Sequence, residues 1–117
     1  MTTDARTPAR RALDAAMTEE AFEDWLVELA CRLGWAVHVE RKARSNRGWR
    51  TPIKGHKGFP DVVLAKGARI LFRELKSERG VLEPAQEEWR DRLLAAGADW
   101  AMWQPRDRDA IEKELLR

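Results

Sequence analysis

The chain has 117 residues, a hydrophobic fraction of 44% and six Trp residues, which predict a folded globule with one core. Cys31 is the single cysteine, which excludes an internal disulfide and a Cys-rich zinc site and favours a reducing, cytoplasmic setting. No apolar run approaches the roughly 20 residues that span a bilayer, and Arg6, Arg10 and Arg11 lead into no apolar core, so neither a membrane span nor a signal peptide is expected.

Residues 1–17 are rich in Ala, Arg and Thr and show no clear apolar stripe. We therefore expect a mobile N-terminal tail, with some helix between Arg10 and Ala16. One domain is expected over residues 18–117.

The first strong helix signal begins at Thr18, a favourable N-cap. Apolar residues then recur at helical spacing over residues 22–33, and Gly34 ends the helix. Glu19 falls on the flank of this apolar stripe in the first turn. Its carboxylate either compensates the helix dipole or reaches a site at the edge of a sheet.

A strand is predicted over residues 35–39, where apolar residues alternate with others, and a basic segment follows at 41–57. This segment has seven basic side chains and no acidic one, and its Ser, Asn, Gly and Pro residues predict a long flexible loop. Its composition favours contact with nucleic acid over a merely solvated loop. Trp49 either stacks on bases or packs back on the core. The candidate DNA-binding residues are Arg41, Lys42, Arg44, Arg47, Trp49, Arg50, Lys54 and Lys57.

Two apolar runs, at residues 62–64 and 70–72, predict strands joined by a tight turn at Lys66-Gly67. Because both runs are continuously apolar, we expect a sheet covered on both faces. A hairpin of this kind brings residues equidistant from the turn together. Asp61 and Glu74 are therefore expected to converge near one end of the sheet.

Asp61, Glu74 and Lys76 form the candidate catalytic site. Lys76 shares a face with Glu74 because side chains two apart on a strand point the same way. A hard cation prefers oxygen ligands, and Asp61, Glu74 and the backbone carbonyl of Leu75 can supply them, with Glu19 binding directly or through water. Such an ion polarises a phosphodiester and lowers the pKa of a bound water, while Lys76 positions that water or offsets developing charge. A Glu-x-Lys sequence alone is also typical of a surface ion pair on an edge strand.

The remaining elements are a second helix that begins at Pro84 and ends at Gly97, a fourth strand over residues 99–103 and a final helix from about Asp107. The second helix places Gln86 beside the active edge of the sheet. The order of elements is helix, strand, strand, strand, helix, strand, helix. It predicts an α/β fold with a mixed central sheet flanked by helices.

Several short motifs occur along the chain in a familiar order and spacing: Thr18-Glu19 with Phe22, Leu33-Gly34-Trp35, Gly58-Phe59-Pro60-Asp61, Glu74-Leu75-Lys76, Gly80, Pro84 with Gln86 and Trp89, and Ala96-Gly97. This pattern resembles the PD-(D/E)xK nuclease superfamily, and specifically its virus-type replication-repair nuclease (VRR-NUC) branch. The resemblance covers Thr18 to about Ile111. It implies a restriction-endonuclease-like core, Mg²⁺ or Mn²⁺ as cofactor, and hydrolysis of phosphodiester bonds.

The resemblance also implies roles for individual residues. Asp61 and Glu74 resemble the metal ligands, Lys76 the catalytic lysine, Glu19 the first-helix acid and Gln86 the helix-borne glutamine near the site. Small stand-alone members of the branch are phage-like nucleases that act as homodimers on branched DNA, including four-way (Holliday) junctions. One chain carries one site, and symmetric cutting of a two-fold junction needs two.

We therefore predict a metal-dependent endonuclease, a hydrolase selective for branched DNA in a bacterial or phage-infected cell. The alternative is a catalytically inactive DNA-binding or assembly protein that retains the nuclease fold. A sequence-specific restriction enzyme would need a target-recognition region that a chain of this length hardly accommodates.

Overall fold

The computed structural model describes residues 4–40, 43–45, 48–50 and 53–117, and for 43–45 and 48–50 it describes the backbone alone. The helices are α1 (Pro8–Ala16), α2 (Glu19–Arg32), α3 (Pro84–Ala95) and α4 (Arg108–Leu116), with a short 3-10 helix at Pro105–Asp107. The strands are β1 (Ala36–Val39), β2 (Ala43–Ser45), β3 (Gly48–Arg50), β4 (Val62–Lys66), β5 (Arg69–Leu75) and β6 (Asp99–Trp103). None of the helices in these ranges is long and apolar enough to cross a membrane.

Four of the strands form a mixed sheet in the order β1-β4-β5-β6. β4 is antiparallel to both β1 and β5, whereas β6 is parallel to β5. A parallel pair requires a crossover connection, and α3 supplies it. The predicted α/β class, a mixed sheet flanked by helices, is confirmed.

One face of the sheet carries the main core. Val62 and Leu64 of β4 and Leu71 and Leu75 of β5 are buried on this face. Side chains from α2 and α4 belong to the same core: Phe22, Leu26, Ala30, Ile111 and Leu115. Thr18 caps α2 as predicted, because its side chain accepts a hydrogen bond from the backbone N–H of Ala21 at 3.0 Å.

The opposite face is only partly covered. Phe72 of β5 packs edge-on against Phe59, and Phe59 packs against Trp89 of α3. Ile70 on the same face is 51% exposed, because α3 lies against β6 and does not extend over the other end of β5. The expectation of a sheet covered on both faces therefore holds only around Phe72.

The N-terminal segment differs from the expected mobile tail. Pro8 to Ala16 form α1, and Asp14 on this helix is fully buried. The Asp14 carboxylate accepts hydrogen bonds from Arg6, Arg10 and Arg108 at 2.8–3.0 Å. A buried carboxylate that is paired with several arginines fixes the segments that supply them. These ion pairs dock α1 although it has no apolar stripe.

The basic segment also differs from the predicted long loop. β2 and β3 lie within it and pair antiparallel as a separate two-stranded sheet, with Ser45 opposite Gly48. Strands of three residues are too short to show an alternating pattern, so turn residues dominate the sequence signal. Arg41, Lys42 and Arg47 lie outside the described residues.

Candidate active site

Asp61 and Glu74 face each other across the antiparallel pair of β4 and β5. Val62 pairs with Arg73, and continuing this register by one residue places Asp61 opposite Glu74. The backbone carbonyl of Asp61 accepts from the N–H of Glu40 on the β1 side at 3.2 Å, so it points away from β5. The two residues therefore form a non-hydrogen-bonded pair, the arrangement in which opposed side chains lie closest.

Glu74 is 1% exposed, and its surroundings disfavour its charged form. Burial raises the pKa of Glu74 to about 9, assisted by a hydrogen bond with the carboxyl group of Asp61 and by the charge of Asp61. The ammonium of Lys76 lowers this pKa and the carboxylate of Glu19 raises it, so both side chains lie within electrostatic reach. The structure thus gathers Asp61, Glu74 and Lys76 at one end of the sheet, with Glu19 near them.

Gln86 holds one oxygen of Glu74. Its side-chain N–H donates to Glu74 Oε1 at 2.9 Å, and its own Oε1 accepts from the backbone N–H of Glu83 at 2.9 Å. Because the Gln86 oxygen is taken by the start of α3, its amide nitrogen must point to Glu74. The structure therefore places Gln86 at the site.

Gly58 docks the segment before Asp61 onto α3. Its φ is +93°, and a Cβ there would lie 2.6 Å from the backbone C and O atoms of Ala85, so a side chain cannot be accommodated. Next to it, the rings of Phe59 and Trp89 lie 5.0 Å apart at an angle of 90°. These contacts fix Asp61 relative to the helix that carries Gln86.

The backbone carbonyl of Leu75 lacks a ladder donor. The register that pairs Val62 with Arg73 places Pro60 opposite Leu75, and proline has no N–H. The N–H of Leu75 instead donates to Asp61 Oδ2 at 3.0 Å. The Leu75 oxygen is therefore left available beside the two carboxyl groups.

The donor atoms present suit a hard divalent cation. Such an ion binds two carboxylates and a carbonyl and retains several waters, which Asp61, Glu74 and Leu75 can provide. Within the described ranges, no three His, Cys, Asp or Glu side chains stand close enough to hold an ion together. Glu19 is near enough for its charge to raise the pKa of Glu74, and its binding of an ion, directly or through water, stays a prediction.

Glu23 is an acidic residue near the site that the sequence analysis does not single out. It lies one turn after Glu19 on α2 and is half-buried. Burial raises the pKa of Glu23, and the charge of Asp61 adds to the effect. The i, i+4 spacing from Glu19 is the signal that could have found it.

The predicted DNA-binding residues are described only in part. Lys54 and Lys57 are exposed. Arg44 belongs to β2, and Trp49 and Arg50 belong to β3, but the positions of their side chains are not described.

A groove of about 530 Å³ lies between the segment that carries Lys57 and α3. Ala85, which contacts Gly58, lies in its wall, so the groove adjoins the segment that leads to Asp61. Its lining residues are Gly55, His56, Lys57, Ala85, Glu88, Trp89 and Arg92.

Comparisons with known proteins support the fold. No protein-family model and no curated protein matches the sequence. A solved structure described as "VRR_NUC domain" matches with a TM-score of 0.60 and 23% identity, and the match covers 83% of this chain and 97% of that chain. The chain has the VRR_NUC domain fold. This fold agrees with the resemblance that the motifs indicate.

The carboxyl pair of this VRR_NUC fold, in which Glu74 is buried, predicts a distinctive dependence of stability on pH. Between pH 4.5, the ordinary pKa of a glutamate, and about 9, folded Glu74 retains a proton that the unfolded chain has released. Stability in chelator should therefore fall as pH rises through this window. Glu74→Gln supplies a permanently neutral group, and we expect it to be more stable than the wild type at pH 8.5 by on the order of 1 kcal/mol or more.

The measurement is urea unfolding in EDTA at pH 5.5, 7 and 8.5. Mn²⁺ should stabilise the wild type at pH 8.5 and leave Glu74→Gln nearly unchanged, because the ion binds the deprotonated pair. Glu114→Gln, on α4 at the far end of the sheet, is the control. If the free energies of unfolding of wild type and Glu74→Gln change with pH in parallel, the claim that burial raises the pKa of Glu74 is contradicted.

Proposed function

We propose that the chain is a VRR-NUC nuclease that hydrolyses phosphodiester bonds in DNA with Mg²⁺ or Mn²⁺. The observation that carries this proposal is the pairing of Asp61 with buried Glu74, next to Lys76 and Gln86, in a fold shared with a VRR_NUC domain. An acid whose pKa is raised by burial and by a neighbouring acid costs folding stability, so stability does not explain its presence. It is the arrangement expected where a cation binds.

In this proposal Asp61, Glu74 and the Leu75 carbonyl hold the cation. When bound, the cation supplies polarisation of the phosphoryl group and a bound water of lowered pKa. Gln86 keeps Glu74 in a fixed rotamer through the bond to its Oε1. The ammonium of Lys76 orients the attacking water and offsets negative charge that develops on the phosphoryl oxygens.

DNA contact is assigned to the basic segment and to the groove beside α3. Lys54 and Lys57 are exposed at the end of the segment, and Lys57 also lines the groove. A DNA strand that lies along the groove passes Ala85 and reaches the carboxyl pair next to Gln86. The basic side chains bind phosphates, which fixes the position of the DNA without reading its sequence.

We further propose that the substrate is branched DNA, including four-way junctions, and that the enzyme acts as a homodimer. Phosphate contacts recognise the path of the backbone, so selectivity arises from the shape of the DNA. A two-fold junction presents two equivalent phosphates. A dimer with one site per chain matches that symmetry.

Removing a metal ligand or the lysine should abolish cleavage. We expect Asp61→Asn and Lys76→Ala to lower the single-turnover rate by about 10²–10³-fold or more, because each removes electrostatic stabilisation of the transition state. Junction affinity, measured with Ca²⁺ in place of Mg²⁺, should remain within a few-fold of wild type. The assay uses labelled duplex, flap and four-way DNA with Mg²⁺, Mn²⁺ or chelator.

Lys113→Ala is the matched control, since Lys113 is an exposed lysine on α4. Its cleavage rate should equal that of the wild type. Unchanged cutting by either site variant would remove the assigned site. A wild type that binds junctions but cuts none of the substrates in either metal would favour the inactive DNA-binding protein.

The two described lysines of the basic segment should contribute to the salt dependence of binding. Each phosphate contact contributes about 0.9 to the slope of log K against log salt. The double variant Lys54→Ala/Lys57→Ala should therefore lower the slope by about 1–2, whereas Lys113→Ala should not change it. Fluorescence anisotropy of a labelled junction between 50 and 300 mM salt measures the slope, and an unaltered value for the double variant would refute the assignment.

A further inference from the structure

The turn that follows Lys76 is held by one side-chain amide. Gln104 directly follows β6, and its Nε2 lies 3.0 Å from the carbonyl oxygen of Ser77, 3.3 Å from that of Glu78 and 3.4 Å from that of Gly80. An amide nitrogen has two N–H groups, so this one is shared among three acceptors that all belong to the turn.

Glu78 also ties the same turn to the 3-10 helix and to the N-terminal segment. The carboxylate of Glu78 accepts from the backbone N–H of Arg106 at 2.7 Å and from the Arg106 Nε at 3.2 Å. It also accepts from Arg6 Nη1 at 3.1 Å, and the Glu78 side chain is only 7% exposed. Charge-assisted bonds of this kind are stronger than neutral ones. The turn is therefore a rigid part of the fold.

The rigid turn packs against the side chain of Lys76. Gly80 closes the turn with a bond from its N–H to the Ser77 carbonyl at 3.0 Å. A Cβ at Gly80 would lie 2.8 Å from Lys76 Cβ and 3.2 Å from Lys76 Cδ. The backbone of Lys76 is fixed as well, because its N–H donates to the carbonyl of Trp103 at 3.0 Å. Trp103 thus fixes the backbone of Lys76, and Gln104 fixes the turn that packs beside the Lys76 side chain.

We propose that Gln104 is a positioning residue for Lys76: it holds the 77–80 turn, and the turn keeps the flexible lysine stem directed toward Glu74. This inference rests on the proposed function, because the purpose of a fixed lysine is to meet charge at the reacting phosphate. The unrestrained side chain of a lysine has several rotatable bonds and a large rotamer entropy. The 77–80 turn, packed on one side of the Lys76 side chain, restricts its rotamers before substrate binds.

The closing experiment uses Gln104→Glu, which keeps the shape of the side chain and replaces the donor nitrogen with an oxygen facing three carbonyl oxygens. Single-turnover cleavage should fall about 10–100-fold, with junction affinity in Ca²⁺ within two-fold of wild type. In a double-mutant cycle, Gln104→Glu should add little to the loss caused by Lys76→Ala, because both changes act through the same ammonium. Full additivity of the two losses would overturn the inference.

A second readout needs no nuclease activity. Reductive methylation followed by mass spectrometry reports the exposure of each lysine amine; Lys76 should react faster in Gln104→Glu than in wild type, while Lys54 and Lys113 react as before. An unchanged rate at Lys76 would overturn the positioning role even if cleavage fell. Conversely, a wild type without cleavage would refute the proposed function, and the methylation result would still decide the positioning role.

Gly80→Ala tests the contact between the turn and Lys76 if Gln104→Glu fails to fold. The added methyl group overlaps Lys76 Cβ, so it should displace the lysine stem and change Lys76 methylation and cleavage. Glu114→Gln is the control for both variants, since Glu114 accepts hydrogen bonds from Arg69 and Arg117 at the opposite end of the sheet. It should change neither measurement. Wild-type behaviour of Gly80→Ala in both would overturn the inference.

Discussion

The structure of the site depends on one constraint: two carboxyl groups lie opposite each other at a non-hydrogen-bonded position of the β4–β5 pair. Glu74 is buried there, and burial together with Asp61 raises its pKa to about 9. Two acids in such a place require a proton or a cation. Without a proton or a cation the two carboxylates repel each other, yet the surrounding fold holds them side by side. This is the usual relation between a stable scaffold and a functional site that is costly to stability.

Neighbouring elements hold the pair and Lys76 in place. Gly58 allows the chain before Asp61 to approach the first turn of α3 within a distance that no side chain permits. The same turn presents Gln86 to Glu74. The parallel strand β6 fixes the backbone of Lys76 through the carbonyl of Trp103. The site therefore needs contacts from segments that are far apart in sequence.

Much of this arrangement could be predicted from the sequence because its signals are local. The tight turn at Lys66-Gly67 and the apolar runs on either side determine the register of β4 and β5, and the register brings Asp61 to Glu74. The cap at Thr18 and the period of α2 are local in the same sense. Two features were missed because they depend on distant partners. The docking of α1 depends on pairing between Asp14 and Arg108, 94 residues apart, and the hold on Lys76 depends on Gln104, which no motif marks. Two strands of three residues, β2 and β3, were too short to be recognised among turn residues.

The central claim is that Asp61, Glu74 and the Leu75 carbonyl bind one divalent cation. A crystal soaked in Mn²⁺ and measured at the manganese absorption edge tests it most directly. We predict one anomalous peak between the carboxyl groups of Asp61 and Glu74, within about 2.0–2.3 Å of an oxygen from each, and no such peak in crystals of Asp61→Asn. The soak is made above pH 8. If Asp61 and Glu74 then lie as they do here and no anomalous density is found between them, the claim is contradicted.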